Sequence, residues 1–242
     1  MPTHRIALLG AAGGLGGAIA ETLLTRGHRV WLLDLPEHHD ALMSLARRWP
    51  DQASVLACDF RHPGTITAAF ATLGEQAACL DACVNAAGVI HRAGFTDTAL
   101  EDLERVMAIN VTGPFLALQQ AVTLMPRGGR IVNVASAHGL RTGPERSAYA
   151  MSKGAILALT RALAVELGPR NILVNAVAPG PVSAGMQDAA SESRRRWQAA
   201  TPLGRVAEAQ EVARAVAFLV SAENTFISGD TLLVDGGATA MV

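Results

Sequence analysis

Short runs of consecutive, mostly apolar residues recur along this chain at Ile6–Leu9, Val30–Leu33, Val55–Ala57, Ala82–Val84, Ile131–Val134, Leu173–Val177 and Thr231–Val234. Longer stretches with apolar residues at helical spacing separate them. A strand apolar at every position has no face to offer water, so such runs alternating with helices predict a parallel sheet covered on both sides. Seven of them predict one doubly wound α/β domain over residues 1–242. No linker, charge block or internal repeat divides the chain. The one long region without strand signal runs from about 179 to 205 and holds Gly180, Pro181, Gly185, Pro202 and Gly204 around the polar segment SESRRRWQ. An excursion of that length at a strand's carboxyl end is expected to be a substrate lid.

Half of the residues are hydrophobic, enough for a large core, and the formal net charge is −1. That balance excludes the electrostatic footprint of a nucleic-acid or anionic-membrane binder and leaves a small molecule as the expected partner. Cys58, Cys79 and Cys83 show no CxxC spacing and lie in apolar surroundings. They are expected to be buried thiols in a reducing cytoplasm, with no metal site. The amino-terminal MPTHRIALLGAAGGLGGAIA imitates an export signal, but the five glycines between Gly10 and Gly17 are unfit for one. No run approaches the ~18 apolar residues of a membrane span.

Three constellations carry chemistry. The first is ALLGAAGGLGGAIAETLL, an apolar strand, a glycine turn with Gly10, Gly14 and Gly16, and a helix. A backbone that must approach a pyrophosphate closely cannot carry side chains, and the helix amino terminus offers N–H groups and a positive dipole end. Asp34 follows eighteen residues after Gly16 at the end of the second strand. There a carboxylate can accept both ribose hydroxyls and repel a 2′-phosphate, which favours NAD over NADP. The plainer alternatives are a glycine turn that only packs and a solvated strand-end Asp34. The second is DACVNAAGVI, where small residues after Asn85 leave room for a cofactor over the sheet edge. The third is Ser136 at the end of GRIVNVAS followed by SAYAMSK, which contains Tyr149, the only tyrosine, and Lys153, the only lysine. One helical turn separates them, and an ammonium beside a phenol of pKa near ~10 favours the phenolate.

With these motifs in order, the sequence resembles the short-chain dehydrogenase/reductase family over essentially its whole length. The matching segments are GxxxGxG, the NNAG-like Asn85–Gly88, MAINVTGPF, YxxxK, NAVAPG and a carboxyl-terminal PLGRV…LLVDGG. The resemblance implies a Rossmann domain with the catalytic tetrad Asn110, Ser136, Tyr149 and Lys153. Tyr149 would exchange the hydroxyl proton, Ser136 orient the substrate oxygen, Lys153 lower the tyrosine pKa and bind ribose, and Asn110 hold a helix irregularity and a water. It also implies cofactor contacts from Leu15, Asp59, Ala87, Gly88, Pro179, Gly180 and Val182. Asp59 is open to a second reading as a strand-end cap. The family further implies homotetramers built on the helices carrying Asn110 and Tyr149. Three positions depart from the family pattern: Leu9 replaces a threonine whose hydroxyl braces the loop near Asn85, Ala86 replaces an asparagine, and Ala184 replaces a nicotinamide-binding threonine for which Ser183 can substitute.

Around the expected reaction centre lie His91 and Arg92 after Gly88, His138, Arg141 and Arg146 after Ser136, and Met186 in the lid. An arginine there either clamps a substrate carboxylate or stays solvated, and both histidines are read as surface or subunit-contact residues. The sequence thus points to an NAD-dependent dehydrogenase interconverting a secondary alcohol and a ketone on a small or cyclic metabolite. The alternatives are an NADPH-dependent ketoreductase resembling the β-ketoacyl carrier-protein reductases and a non-catalytic dinucleotide sensor or scaffold.

Overall fold

A computed structural model describes residues 3–183, 195 and 198–240 of the chain. Seven strands form one parallel sheet in the order β3-β2-β1-β4-β5-β6-β7. They are β1 (Arg5–Leu9), β2 (Arg29–Asp34), β3 (Ala53–Ala57), β4 (Ala82–Asn85), β5 (Gly129–Val134), β6 (Ile172–Pro179) and β7 (Thr231–Val234). The described helices are α1 (Gly14–Thr25), α2 (His39–Ala46), α3 (Pro63–Ala77), α4 (Leu100–Met107), α5 (Gly113–Thr123), α6 (Ser147–Leu167) and α7 (Ala209–Leu219). The architecture is the doubly wound Rossmann fold that the strand runs predict.

Alternate side chains along each strand feed two separate cores, which is why the strands are apolar throughout. Ile6, Leu8, Val30, Leu32, Val84 and Val132 pack under α1 and α7, against Ile19, Leu23, Val212 and Val216. Ala7, Leu9, Trp31, Leu33, Cys83 and Ile131 pack under α3 and α5, against Ile66, Phe70, Leu73 and Leu118. Trp31 is fully buried, and its indole N–H donates to Gln76 Oε1 at 2.8 Å, so the ring's one polar atom is satisfied. The expected strand runs match the observed strands in number and order. Cys58 and Cys83 are buried thiols as read, whereas Cys79 is only half-buried.

Two features position the site. Strand order reverses direction between β1 and β4, so the carboxyl ends of β1, β4, β5 and β6 share one edge around a crevice. Between α4 and α5 the helix continues as a π-helical turn, Ala108–Thr112, which carries Asn110.

Candidate active site

At the first strand end Gly10 adopts φ +75°, and a Cβ there would stand 2.6 Å from Ala87 N and Cα. Only glycine lets the turn after β1 touch the backbone after β4. Its N–H donates to Leu33 O at 2.9 Å. Gly14 opens α1 and Gly16 packs on the Gly10 carbonyl, while half-buried Leu15 rests on the core beneath. The first turn of α1 has no acidic residue and no side-chain cap, which leaves its N–H groups for an anionic ligand.

Asp34 is buried rather than solvated. Its Oδ2 accepts from Ala12 N at 2.8 Å, and its Oδ1 accepts from Leu35 N at 2.8 Å and pairs with His38 Nδ1 at 2.9 Å. The carboxylate therefore ties the glycine turn to the end of β2. Asp59, just past β3, spends its oxygens on its own turn: Arg61 Nε and Nη2 reach it at 2.9 and 2.6 Å and Arg61 N at 2.9 Å. The Arg61 guanidinium holds its carboxyl below the usual range. This geometry favours the strand-end reading of Asp59.

Asn85, the last residue of β4, donates through Nδ2 to Asn133 Oδ1 at 3.1 Å, and Asn133 donates to Thr160 Oγ1 at 3.0 Å. Asn85 Oδ1 is buried with no partner. Its register partner on β1 is Leu9, whose side chain carries no donor. Asn133 and Thr160 escaped the sequence reading; the polar residue inside the apolar run IVNV was the available signal.

The four residues of the expected tetrad converge. Asn110, fully buried, clamps the loop after β4 by accepting from Val89 N at 2.8 Å and donating to Val89 O at 3.0 Å. It also donates to Ser152 Oγ at 2.9 Å, and Ser152 donates to the Tyr149 carbonyl at 2.7 Å. Lys153 donates from Nζ to Val134 O at 2.9 Å, and burial lowers its pKa to about 8. Gly88 makes this crossing possible, because a Cβ there would stand 3.1 Å from Lys153 Nζ and 3.4 Å from Asn110 Oδ1. Ser136 caps the turn after β5 by accepting from His138 N at 3.1 Å. Its hydroxyl lies within hydrogen-bond reach of the Tyr149 phenol. Burial raises the Tyr149 pKa, opposed by that hydrogen bond and by the charge of Arg146. Lys153 Nζ lies over the Tyr149 ring, 5.9 Å from its centroid.

Ser136 and Tyr149 open into a cavity of about 620 Å³. Pro179, Gly180 and Val182 form one part of its wall, and Ala238 and Thr239, near the carboxyl end of the chain, form another. Asp235 folds that segment back by accepting from Gly237 N and from Thr239 N and Oγ1. Arg141 fastens it with an N–H donated to Thr239 O at 2.7 Å. The sequence reading missed this tail. His138 is half-buried and lines the cavity edge-on to Tyr149, with ring centroids 6.1 Å apart. Burial, then Arg146 and Arg92, push its pKa down to about 4. The His91 side chain is also largely covered, with Nε2 buried and unpartnered. Val182 bridges to Ala207 and Ser183 N donates to Ala207 O at 2.9 Å, tying down one end of the 179–205 segment. Met186 and Ala184 lie outside the described residues.

Comparison with known proteins agrees with this layout. A family model described as enoyl-(acyl carrier protein) reductase matches residues 10–239. The cyclopentanol dehydrogenase of Comamonas sp. (strain NCIMB 9872) is 38% identical over 97% of this chain and 96% of its own. The trans-4-hydroxycyclohexanecarboxylate dehydrogenase of Sinomonas cyclohexanicum is 36% identical over 98% of this chain and 93% of its own. Among solved structures, a blue fluorescent protein from a metagenomic library, in complex with NADPH, superposes with a TM-score of 0.92 at 32% identity, covering 97% of each chain.

Proposed function

Because the chain belongs to the short-chain dehydrogenase/reductase family, we propose that it is an NAD-dependent dehydrogenase interconverting a secondary alcohol and a ketone on a small or cyclic metabolite. It is an oxidoreductase acting on CH–OH groups. The observation that carries the finer reading is that Ser136 and Tyr149 line one cavity while Asn110 and Lys153 are fixed nearby, Asn110 on Ser152 and Lys153 on the Val134 carbonyl.

The residues present fit a dinucleotide: a glycine turn whose Cβ space is filled by Ala87, an uncapped α1 amino terminus, and Asp34 buried at the end of β2. The glycine turn, the α1 amino terminus and Asp34 would hold such a cofactor, which would supply hydride chemistry for alcohol–ketone interconversion. In alcohol oxidation Ser136 holds the substrate oxygen by a hydrogen bond while Tyr149 takes the hydroxyl proton; in reduction Tyr149 gives it back. Lys153, one helical turn from Tyr149, favours its phenolate and offers donors for ribose hydroxyls. Asn110 fixes the loop after β4 against α6, so the distance between these groups does not wander.

Asp34 supports NAD, because a buried carboxylate repels a 2′-phosphate. The NADPH complex of the structural neighbour favours the second reading, an NADPH-dependent ketoreductase. We further assign residues 179–205 as the substrate lid of a single domain and place the enzyme in the cytoplasm. A homotetramer is supported by apolar side chains exposed on two faces: Phe115, Met151 and Val165 on α5 and α6, and Phe226, Leu232 and Leu233 around β7.

Titration of the protein with NADH and with NADPH, followed by nucleotide fluorescence, tests the cofactor. Tighter NADH binding is expected, and a preference for NADPH overturns the Asp34 reading. Tyr149→Phe is expected to lower turnover by at least ~10³-fold with nucleotide binding retained. Full turnover in that variant refutes the assigned role.

A further inference from the structure

The cavity beside Tyr149 carries Arg92, Arg141 and Arg146 against a single carboxylate, Glu145, among its described lining residues. This surplus stands in a chain whose formal net charge is −1, so it is local rather than a reflection of composition. Exposed Arg92 and half-buried Arg146 line the same cavity as the His138 ring and Tyr149, close enough for both charges to lower the His138 pKa. His138 itself is neutral at ordinary pH, so the arginines supply the charge.

Two loops far apart in sequence deliver them. Ala93 N donates to Glu145 O at 3.2 Å, joining the segment after β4 to the one that enters α6. Glu145 holds φ +61°, a left-handed conformation unfavourable for a residue with a side chain, directly before Arg146. Arg146 is the N-cap of α6, whose first turn has no acidic residue, so the positive end of a 21-residue helix adds potential of the same sign. Arg141 donates to Thr239 O at 2.7 Å, and Arg146 Nη1 donates to Pro144 O at 3.4 Å. A guanidinium fork matches a carboxylate's two oxygens, and two forks from opposing loops hold it in a fixed orientation.

Resting on the dehydrogenase reading above, we propose that the substrate is an alcohol or ketone that also bears a carboxylate, held by Arg92 and Arg146 while its reacting oxygen lies at Ser136 and Tyr149. The protein, alone and saturated with NADH, is titrated calorimetrically with cyclohexanecarboxylate and with cyclohexanecarboxamide, which share shape and differ in charge. The carboxylate is expected to bind at least ~10-fold tighter, with an advantage that shrinks as salt rises. The advantage is expected to fall below ~3-fold in Arg92→Gln and in Arg146→Gln and to survive in part in Arg92→Lys. Equal binding of the two compounds, or an advantage that persists in both glutamine variants, overturns the proposal.

Oxidation of 4-hydroxycyclohexanecarboxylate and 4-hydroxycyclohexanecarboxamide in the presence of NAD separates the two readings. A lower KM for the acid at similar kcat supports the clamp. Equal kcat/KM removes the clamp and leaves the dehydrogenase. Carboxylate-selective binding with oxidation of neither compound removes the dehydrogenase and leaves an anion site.

Discussion

At Tyr149 burial and charge pull the proton in opposite directions. Burial dominates and keeps the phenol protonated, while the Ser136 hydrogen bond and the Arg146 charge ease its release. The four-residue interval to Lys153 was legible because it lies within one helix; the part played by Arg146 was not, because it depends on how the preceding loop is held. Alcohol oxidation, which needs Tyr149 as proton acceptor, is expected to climb with pH into the alkaline range. Arg146→Gln should move that climb to higher pH, and a profile that stays in place would show that Arg146 is electrostatically idle. His138 gives a prediction for stability. Its pKa is lowered from 6.5 to about 4 in the folded protein, so the unfolded chain takes the proton first as pH falls. Folding stability is therefore lost between those values, and His138→Gln should flatten that part of a urea-midpoint profile against pH. His4 and His28, lowered by burial beside one another, contribute with the same sign.

Among the elements, the strands were legible to within a residue or two. Expected Thr231–Val234 is β7 unchanged, and expected Leu173–Val177 became Ile172–Pro179. Apolar runs mark the buried middle of a strand; its ends are decided by backbone pairing, which side-chain pattern does not report. The π turn at Asn110 left no periodic trace, and its presence came only through family resemblance. The Ala93–Glu145 bond joins segments about fifty residues apart and had no local signal. Glycine turns give the sharpest tests at this scale. Gly88→Ala drives a methyl toward Lys153 Nζ, the movable end of a flexible chain, and toward Asn110. The fold should survive while turnover drops on the order of 10–100-fold, measured beside an unchanged melting temperature. Gly10→Ala meets backbone at 2.6 Å and carries φ +75°, so a loss of at least roughly 1–3 kcal/mol in urea unfolding is expected from the backbone conformation alone.

For the whole molecule, the exposed apolar residues fall on faces that the sheet and helices leave uncovered. Phe226 is 94% exposed and Val165 79%. Light scattering is expected to give four times the 25.2 kDa of one chain. Phe115→Asp or Phe226→Asp should lower that mass, and a monomeric parent protein would remove the assembly reading. The single lysine has a practical outcome at this scale. Lys153 is 5% exposed and lies against Gly88 and the Val134 carbonyl, so the one lysine amine is not readily reached. Bulky succinimidyl cross-linkers will therefore find no lysine to join at subunit contacts. A small acylating reagent, in contrast, becomes a footprinting tool: the mass gained at one peptide reports directly whether the crevice beside Lys153 is open or filled.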